Sequence, residues 1–411
     1  MKVKPQRLII LGTGFAAFSL VKKINTDIYQ VTVVSPRNYL LFTPLLASTT
    51  VGTIEFRSII EPIRTVKAHI QFYQAICTRI DSENNIIHCE GVLDGKCLQL
   101  RYDLLVIAVG AVSNTYGIPG VLEYTKPLKE LSDARAIRQR IIDCFELAST
   151  PGLSHAERQR LLNFVVVGGG PTGVEFAAEI HDFLIEDLRR WFPDLINDVN
   201  ITLIEAAKGI LSSFDEELSR EAMKTFKSRR ILVRTECPVK EIRESEIILQ
   251  DESIIPFGLA VWSTGNGPTV LVESLQFPKC KMSHLLTDEY LCVLGTKNIF
   301  SIGDCATIKD QELPETAQVA QQQGTYLANA LNRKAKDQIV SSFSYRYMGM
   351  LAYIGRRRAL ADFKNMKLKG LIIWIFWRAI YFTKLVSRKN KILVIFDWFK
   401  TSLFGRDISR F

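Results

Sequence analysis

The chain has no cysteine pattern that would hold a metal ion. Its eight cysteines are scattered along the sequence, without a C-x-x-C pair or any spacing that would bring four ligands to one metal. We therefore expect no metal site, and unpaired cysteines of this kind fit a reducing compartment. The cysteines are Cys77, Cys89, Cys97, Cys144, Cys237, Cys280, Cys292 and Cys305.

Long apolar runs and low-complexity stretches are also missing. No stretch reaches the roughly 18 uninterrupted apolar residues that a membrane-spanning helix requires. No stretch is dominated by Pro, Gly and Ser, so long disordered linkers are not expected. The 411 residues, 47% of them hydrophobic, can bury enough apolar surface for two or more compact domains.

Negative charge is scarce at the C-terminal end of the chain. The net charge is +9, and the stretch 346–411 carries 15 Lys and Arg against three Asp. The rest of the chain is slightly acidic. The basic character therefore belongs to the C-terminal region.

A glycine-rich turn near the N-terminus indicates a dinucleotide site. The apolar run 8–11 predicts a buried strand, and the turn G-T-G-F-A-A at 12–17 leads from it into a helical pattern. Gly12 permits the tight turn, and Gly14 lets the backbone approach a pyrophosphate. The helix N-terminus then offers N–H groups to the phosphates. The usual Asp or Glu after the second strand is replaced by Ser35, so a tight turn without a ligand stays an alternative.

A second, complete copy of this pattern lies in the middle of the chain. A predicted strand at 164–167 runs into G-G-G-P-T-G at 168–173, and the next predicted strand ends at Glu205. A carboxylate there would bind both ribose hydroxyls and repel a 2′-phosphate, which favours NADH over NADPH. The interval before Glu205 exceeds the usual ~20 residues, which predicts an extended helix to residue 190 and a loop at 191–198.

Three further predicted strands end in glycine. They lie at 102–110, 257–265 and 298–303, and the third is followed by Asp304, whose carboxylate can accept hydrogen bonds from a flavin ribityl chain. Each alone is more often only a strand and a turn. Their order after two glycine turns indicates two nucleotide-binding folds, one for a resident dinucleotide and one for a visiting one.

The chain resembles the two-dinucleotide-binding-domain flavoproteins, and among them the mitochondrial, yeast-like type II NADH:quinone oxidoreductases. The resemblance covers essentially the whole length. It is carried by S-P-R-N-Y-L-L-F-T-P-L-L at 35–46, G-G-G-P-T-G-V-E-F at 168–176, T-A-Q-V-A-Q-Q at 316–322 and L-A-Y-I-G at 351–355. Serine at position 35 is expected in that branch. The resemblance implies tightly bound FAD and NADH as substrate.

The resemblance also implies roles for single residues. Thr43 and Pro44 would lie beside the isoalloxazine, and Gly265 and Asn266 near the nicotinamide. The complete set of implied cofactor-binding residues is Gly12, Gly14, Phe15, Ala16, Ser35, Pro36, Arg37, Thr43, Pro44, Gly110, Gly168, Gly170, Thr172, Gly173, Glu205, Gly265, Asn266, Gly303, Asp304 and Ala317.

Three residues carry implied catalytic roles. Glu175 would lie close to the meeting of the nicotinamide and flavin rings, although an acid in the first turn of a helix is also favoured by the helix dipole. Gln318 and Gln322 match positions at the mouth of the quinone tunnel. Gln321 stands where yeast-like relatives carry His, which puts any proton transfer at that position in doubt.

Two other functions remain as alternatives. Sulfide:quinone oxidoreductases use cysteines that face the flavin, for which Cys144 and Cys305 are candidates, but the intact NADH fingerprint argues against this function. A non-enzymatic redox sensor resembling apoptosis-inducing factor is the second alternative. Disulfide reductases are excluded because the chain has no C-x-x-C or C-x₄-C pair.

The pattern of apolar and charged residues after position 370 predicts two amphipathic helices. In 371–388, one half of the helical wheel is apolar and the other half carries cations with Trp374, Trp377 and Tyr381, side chains that prefer the headgroup boundary. The apolar half consists of Ile372, Ile373, Ile375, Phe376, Ala379, Ile380, Phe382 and Val386, and the cations are Arg378, Lys384 and Arg388. A second apolar stripe follows at Ile392, Ile395, Phe396, Phe399 and Leu403. The surplus positive charge favours docking on anionic lipid, and packing on the core or on a second subunit is the alternative.

The sequence therefore predicts an α/β protein with two Rossmann-like domains, resembling the disulfide reductases in fold, and a C-terminal membrane-binding helical region. The FAD domain would comprise 1–118 and 285–335, the NADH domain 119–284, and the membrane region 336–411. The predicted activity is NADH:quinone oxidoreduction without proton pumping. Quinone, anionic lipid and a homodimer are the expected partners, without nucleic acid. The expected location is peripheral, on the cytoplasmic face of a bacterial inner membrane or, alternatively, on the mitochondrial inner membrane.

Overall fold

The computed structural model describes residues 5–410, which divide into two compact units. The first unit contains the chain up to Leu40, Glu61–Val112 and Asn266–Tyr347, and the second contains Leu41–Ile60, Ser113–Gly265 and the chain from Met348 onward. The chain from Met348 onward clusters with the second unit and residues 336–347 cluster with the first, while the domain bounds expected from the sequence stay a prediction. The assignment of one unit to FAD and the other to NADH stays a prediction.

A seven-stranded sheet forms the centre of the first unit. Five neighbouring strands of this sheet are parallel to one another. Two further strands, Ile86–Gly91 and Cys97–Arg101, are added in antiparallel pairing at one edge. The central strands are Val- and Ile-rich and buried on both faces, as parallel strands covered by helices are. The order is Ile299–Ser301, Leu104–Ile107, Gln6–Leu11, Tyr29–Ser35, Gln71–Asp81, Ile86–Gly91 and Cys97–Arg101.

Two helices of the first unit pack tightly against each other. The helix Phe15–Lys23 follows the first glycine turn, and the helix Ala317–Lys334 crosses it at Gly324. A Cβ at Gly324 would lie 2.0 Å from the carbonyl oxygen of Ala16, so only glycine fits at this crossing. The remaining elements of the unit are the strands Leu285–Thr287 and Ala306–Ile308, the short helix Val270–Ser274 and the 3₁₀ turn Ile63–Thr65.

The second unit is built on a five-stranded, wholly parallel sheet. The order of its strands is Lys126–Pro127, Leu259–Trp262, Asn163–Val167, Asn200–Ile204 and Ile231–Arg234. An antiparallel sheet of Val239–Ile242, Glu246–Leu249 and Ile254–Pro256 is a separate layer of the same unit. The parallel strands of the five-stranded sheet, with helices between them along the chain, form the Rossmann-like arrangement that the sequence predicted.

Helices surround this sheet, and one of them explains the long interval before Glu205. The helix Pro171–Phe183 continues through the π-helical turn Leu184–Leu188 to Arg189–Trp191, and a short 3₁₀ turn at Ile196–Asp198 precedes the next strand. The predicted extension to residue 190 and the loop after it are therefore confirmed. The other helices are Leu46–Thr50, Val121–Tyr124, Leu131–Ala148, His155–Leu161 and Glu216–Ser228, with 3₁₀ turns at Thr43–Leu45 and Phe56–Ile59.

The C-terminal part of the second unit is a three-stranded antiparallel sheet followed by two helices. The strands are Met350–Gly355, Arg358–Phe363 and Met366–Gly370, and the helices are Leu371–Lys384 and Arg388–Phe404. Among residues 5–410, no helix is long and apolar enough to cross a membrane. Short strands also form where the chain passes between the units, at Tyr39–Leu41, Ile60–Pro62, Val112–Ser113 and Asn266–Gly267.

The predicted faces of these two helices are partly wrong. Trp377 was expected at a headgroup boundary and Ile373 on the lipid-facing half, yet both are buried in the protein. Arg378 lies between the rings of Trp374 and Trp398, with its guanidinium carbon 4.1 Å and 4.6 Å from their centroids. The helical wheel separates apolar from polar side chains, but it cannot show that aromatic residues face the protein.

In the second helix the predicted apolar stripe faces outward. Its inner face combines the buried Val394 with two polar side chains: Asn390 donates to the carbonyl oxygen of Ile60 at 3.0 Å, and Asp397 accepts from the hydroxyl of Ser58 at 2.6 Å. The exposed apolar side chains of both helices form what we call the C-terminal apolar surface. It consists of Leu371, Ile372, Ile375, Phe376, Ile392, Ile395, Phe396, Phe399, Leu403 and Phe404.

Candidate dinucleotide sites and a buried carboxyl

The first glycine turn has the geometry of a pyrophosphate cradle. Gly12 has φ +109°, and a Cβ there would lie 2.2 Å from the carbonyl oxygen of Ala108. Around Gly14, by contrast, a Cβ would meet nothing within 4 Å, and no side chain caps the helix that begins at Phe15. The space beside Gly14 at the start of this helix is therefore open, as the close approach of a diphosphate requires.

The neighbouring strand ends lie at the same edge of the first sheet. The strands 6–11, 104–107 and 299–301 are adjacent and parallel, so Gly12, Gly110 and Gly303 follow their carboxyl ends together. Gly110 has φ +68° and open space around its Cα. A small cleft lies beside this edge, lined by Gly303, Asp304, Ala306, Thr307, Ile308, Leu313, Pro314, Glu315, Val319 and Gln323.

Two hydrogen bonds support this edge. The hydroxyls of Thr13 and Ser35 lie 3.1 Å apart, so Ser35 is tied to the glycine turn. Gln323 is buried and accepts from the N–H of Gly303 at 2.7 Å. The sequence gave no indication of Gln323, because this bond joins residues that are distant in sequence.

The second glycine turn repeats the same geometry in the second unit. Gly168 has φ +112°, and a Cβ there would lie 2.7 Å from the carbonyl oxygen of Ser263. A Cβ at Gly173 would lie 2.0 Å from the carbonyl oxygen of Gly168, whereas the space around Gly170 is open. Thr172 lies in the first turn of the helix that begins at Pro171. Each glycine of the fingerprint thus meets a separate steric demand.

Glu205 lies directly after the strand Asn200–Ile204, as predicted. Its carboxylate accepts from the N–H of Gly169 at 2.6 Å and from the N–H of Ala207 at 2.7 Å. The acid is therefore oriented towards the glycine turn, and it also stabilises that turn. Gly265 follows the neighbouring strand Leu259–Trp262, at the same edge of the sheet.

Other residues of the predicted set lie in different units. Thr43 and Pro44 form the 3₁₀ turn Thr43–Leu45 of the second unit. Asn266 belongs to the first unit, where its side-chain amide donates to Glu315 at 2.6 Å. The other oxygen of Glu315 lies 3.2 Å from Nε2 of His284. Neither Glu315 nor His284 was indicated by the sequence.

The predicted quinone residues lie at the start of the helix Ala317–Lys334. Thr316 caps this helix by accepting from the N–H of Val319. The hydroxyl of Tyr345 donates to Gln318 at 3.5 Å. Gln322 forms two bonds with the backbone of Arg346, both 2.9 Å long. In this structure the carboxamide of Gln322 thus holds the chain at Arg346, a structural contact that the sequence did not predict.

Glu175 is a buried carboxyl on the helix Pro171–Phe183. Burial raises its pKa to about 8, and the charge of Glu179 adds to this effect, while the N–H of Tyr353, which donates at 3.0 Å, opposes it. The rings of Trp377 and Tyr381 lie beside the carboxyl. At neutral pH this group therefore keeps its proton. The alternative, an acid in the first turn of a helix, does not describe it, because the first turn of Pro171–Phe183 contains no acidic residue.

Glu179 lies one turn further along the same helix and is also buried. Ser48 donates to one carboxylate oxygen at 2.6 Å, and Thr53 donates to the other at 3.0 Å. Burial raises the pKa of Glu179, and the charge of Arg406 opposes this. The pair Glu175 and Glu179 thus forms a buried acidic row that the sequence did not reveal.

The two cysteines considered for a flavin-facing role, Cys144 and Cys305, are buried thiols. Burial raises the pKa of Cys144 to about 11 and also raises the pKa of Cys305. Thiols of this kind are inert, because the thiolate is the reactive form. In the part of the chain that is described, no group of three or more His, Cys, Asp or Glu side chains could hold a metal ion.

Residues 6–324 match the model of the pyridine nucleotide-disulphide oxidoreductase family, and residues 347–407 match the NDH2 C-terminal domain. The chain therefore belongs to the pyridine nucleotide-disulphide oxidoreductase family. The glycine turns at 12–17 and 168–173 both lie within the matched residues 6–324.

Its relatives narrow the assignment to the type II NADH dehydrogenases. A probable NADH dehydrogenase of Dictyostelium discoideum is 45% identical, with 100% of this chain and 92% of that protein covered. The internal alternative NAD(P)H-ubiquinone oxidoreductase A1, mitochondrial, of Arabidopsis thaliana is 41% identical over 98% of this chain and 85% of its own. The structure of NDH2 from Plasmodium falciparum in complex with NADH superposes with a TM-score of 0.95 at 29% identity, covering 99% of this chain and 100% of that one.

The position of Glu205 predicts the coenzyme preference. In Glu205→Ala we expect the KM for NADH to rise about tenfold, because a charged hydrogen bond to the ribose is lost. Discrimination against NADPH should decrease. Glu205→Gln is the matched control, since it keeps an oxygen for the N–H of Gly169 and removes only the charge. Steady-state kinetics with both coenzymes measure this, and an unchanged NADH to NADPH ratio in both variants would contradict the assignment.

Proposed function

We propose that this protein is an FAD-dependent NADH:quinone oxidoreductase that pumps no protons. The observation that carries the proposal is the pair of glycine turns, each at the carboxyl edge of a parallel sheet and each with open space for a diphosphate at Gly14 or Gly170. The balanced reaction is NADH + H⁺ + quinone → NAD⁺ + quinol. The names of the Dictyostelium and Arabidopsis relatives support this activity.

The first unit would hold FAD and the second would receive NADH. When bound, FAD accepts the hydride of NADH and supplies two electrons to the quinone. Gly12, Gly14 and the N-terminus of the helix Phe15–Lys23 would hold the FAD diphosphate, and Asp304 would bind the ribityl chain. Glu205 would bind the ribose of NADH, and the turn at 168–173 its diphosphate. Positioning of the two partners supplies most of the rate, because hydride transfer itself needs no acid or base.

Quinone reduction needs one proton beyond the one that NADH delivers. Glu175 is suited to supply it, because its pKa of about 8 keeps the carboxyl neutral at physiological pH. Gln318 would contact the quinone ring, in line with its position at the start of the helix Ala317–Lys334. Gln322 would act indirectly, by fixing the backbone at Arg346.

The C-terminal apolar surface would dock on a membrane. Phe396 and Phe399 are each 59% exposed, while the opposite face of their helix hydrogen-bonds to the protein. Isolated exposed apolar residues need no explanation, but a contiguous patch marks an interaction site. The surrounding Lys and Arg favour anionic lipid at about 1 kcal/mol for each charge near the surface. This would make the protein a peripheral membrane protein.

The location follows from the same relatives. Since the Arabidopsis protein is mitochondrial by name, we favour the mitochondrial inner membrane over the bacterial membrane that the sequence first suggested. Docking on the membrane would bring the enzyme to its lipid-soluble acceptor. The homodimer implied by the resemblance stays a prediction.

Turnover tests the proposed activity. The purified protein should be yellow, release FAD on denaturation, and oxidise NADH with a soluble ubiquinone analogue at about 10 per second or faster. Absorbance of NADH and mass spectrometry of the released flavin measure this. A long-lived complex of the flavoprotein with NADH, without turnover by quinone, would instead support the redox-sensor alternative.

The pH dependence of turnover tests Glu175. The neutral carboxyl is the competent form, so the rate should fall on the alkaline side with a midpoint near 8. Glu175→Gln cannot ionise, so its rate should be lower and this alkaline decline should disappear. A decline with the same midpoint in the variant would show that another group titrates.

Membrane docking is tested by placing charge in the C-terminal apolar surface. The double variant Phe396→Glu with Phe399→Glu should bind anionic liposomes about a hundredfold more weakly, because two aromatic side chains would no longer insert into the lipid. Leu93→Glu is the control, since Leu93 is 84% exposed but lies in the first unit. Flotation assays measure the binding. Equal flotation of the double variant and the wild type would refute docking through this surface.

A further inference from the structure

Three acids of the helix Pro171–Phe183 face the interior of the second unit. Glu175, Glu179 and Asp182 are spaced by four and three residues, so they lie along one side of the helix. Each is at most 8% exposed. The proposed function uses Glu175. Asp182 has no role in it, yet Asp182 is the most completely buried of the three.

Asp182 is held by four groups. The hydroxyl of Tyr353 donates to its Oδ2 at 2.6 Å, and the N–H of Arg356 donates to the same oxygen at 2.8 Å. Nη1 of Arg229 and Nδ1 of His181 lie 3.4 Å and 3.6 Å from Oδ1. Burial alone would raise the pKa of Asp182, but the adjacent His181 and the charge of Arg229 lower it below its ordinary value. Asp182 is therefore a fixed anion.

Tyr353 joins this anion to Glu175. Its hydroxyl binds Asp182, while its main-chain N–H donates to Oε1 of Glu175 at 3.0 Å. Its ring packs against Trp377, with centroids 5.7 Å apart, and Trp377 packs edge-on against Tyr381 at 4.8 Å. One residue thus contacts both acids and the aromatic wall that surrounds Glu175.

We infer that Asp182 is a positioning residue for Glu175 and that it acts through Tyr353. By binding Tyr353 and the N–H of Arg356, Asp182 fixes the end of the strand Met350–Gly355 against the helix that carries both acids. The strand in turn keeps its N–H on Glu175 and excludes water from that carboxyl. The inference rests on the proposed role of Glu175 as proton donor.

The charged groups around Glu175, Glu179 and Asp182 agree with a protonated Glu175 and an ionised Asp182. Glu175 is faced by Glu179 from its own helix, by Tyr353 from the strand Met350–Gly355 and by Tyr381 from the helix Leu371–Lys384. Burial raises the pKa of both phenols, so both stay neutral. The cations of this region act on the other two acids: Arg406 on Glu179, and Arg229 on Asp182.

Two carboxyls on one helix are thereby driven to opposite protonation states. Pairs of acids that are separated by their surroundings in this way divide the roles of proton donor and fixed charge in other enzymes. Loosening the strand would admit water to Glu175. Its pKa would then fall towards the ordinary value, and the carboxyl would lose its proton at a lower pH.

The test removes one hydroxyl. Tyr353→Phe keeps the ring and the main-chain N–H but breaks the bond to Asp182. We expect the alkaline midpoint of NADH:quinone turnover to fall by about one pH unit, with the KM for NADH unchanged. Tyr29→Phe is the matched control, because it deletes a buried phenol that donates to the carbonyl oxygen of Leu331 at 2.8 Å in the first unit.

A spectroscopic readout separates this inference from the proposed function. The infrared C=O band of the protonated carboxyl, identified by its loss in Glu175→Gln, should titrate at lower pH in Tyr353→Phe than in the wild type. In the Glu175→Gln background, Tyr353→Phe should cause no further change in the pH profile. An unshifted band and midpoint in Tyr353→Phe would overturn the positioning role. An alkaline midpoint that persists in Glu175→Gln would instead overturn the role of Glu175 itself.

Discussion

Burial of the helix Pro171–Phe183 is the constraint on which the second unit depends. From Gly173 to Phe183 every residue of this helix is buried. Its N-terminus follows the second glycine turn, and its inward acids bind Ser48, Thr53, Tyr353 and the N–H of Arg356. A buried polar group that loses its partner costs about 1–3 kcal/mol. The same helix therefore ties the nucleotide-binding fold to the C-terminal sheet, and its acids become unusual in their protonation for the same reason.

The parts that sequence predicts well are those fixed by local stereochemistry. Gly12 and Gly168 are required where the strand turns into a helix, and their positive φ values and close carbonyl neighbours bear out that reasoning. Glu205 was predicted because a strand end is recognisable from a short apolar run. The expectation of FAD and of the quinone residues Gln318 and Gln322 came from the family resemblance, because short local patterns do not specify either.

The parts that sequence does not predict depend on long-range contacts. Gln323 accepts a hydrogen bond from the N–H of Gly303, and Asp182 accepts one from the hydroxyl of Tyr353, which lies 171 positions away. No local sequence pattern predicts either hydrogen bond. Trp377 was assigned to the membrane boundary from its amphipathic setting, but its ring packs against Tyr353. A helical wheel shows which side chains of a helix are apolar and share one face, but it does not show whether that face packs against protein or against lipid. Tertiary packing overrides such patterns most often for aromatic residues, which suit both environments.

The last helix meets the protein through Asn390, Val394 and Asp397, two of them polar, and exposes an apolar stripe on its other side. Asn390 donates to the carbonyl oxygen of Ile60 and Asp397 accepts from Ser58, so pulling the helix away would break both hydrogen bonds. The last helix is thus held as part of the second unit, and a surface that bound its apolar side would also fix the orientation of that unit.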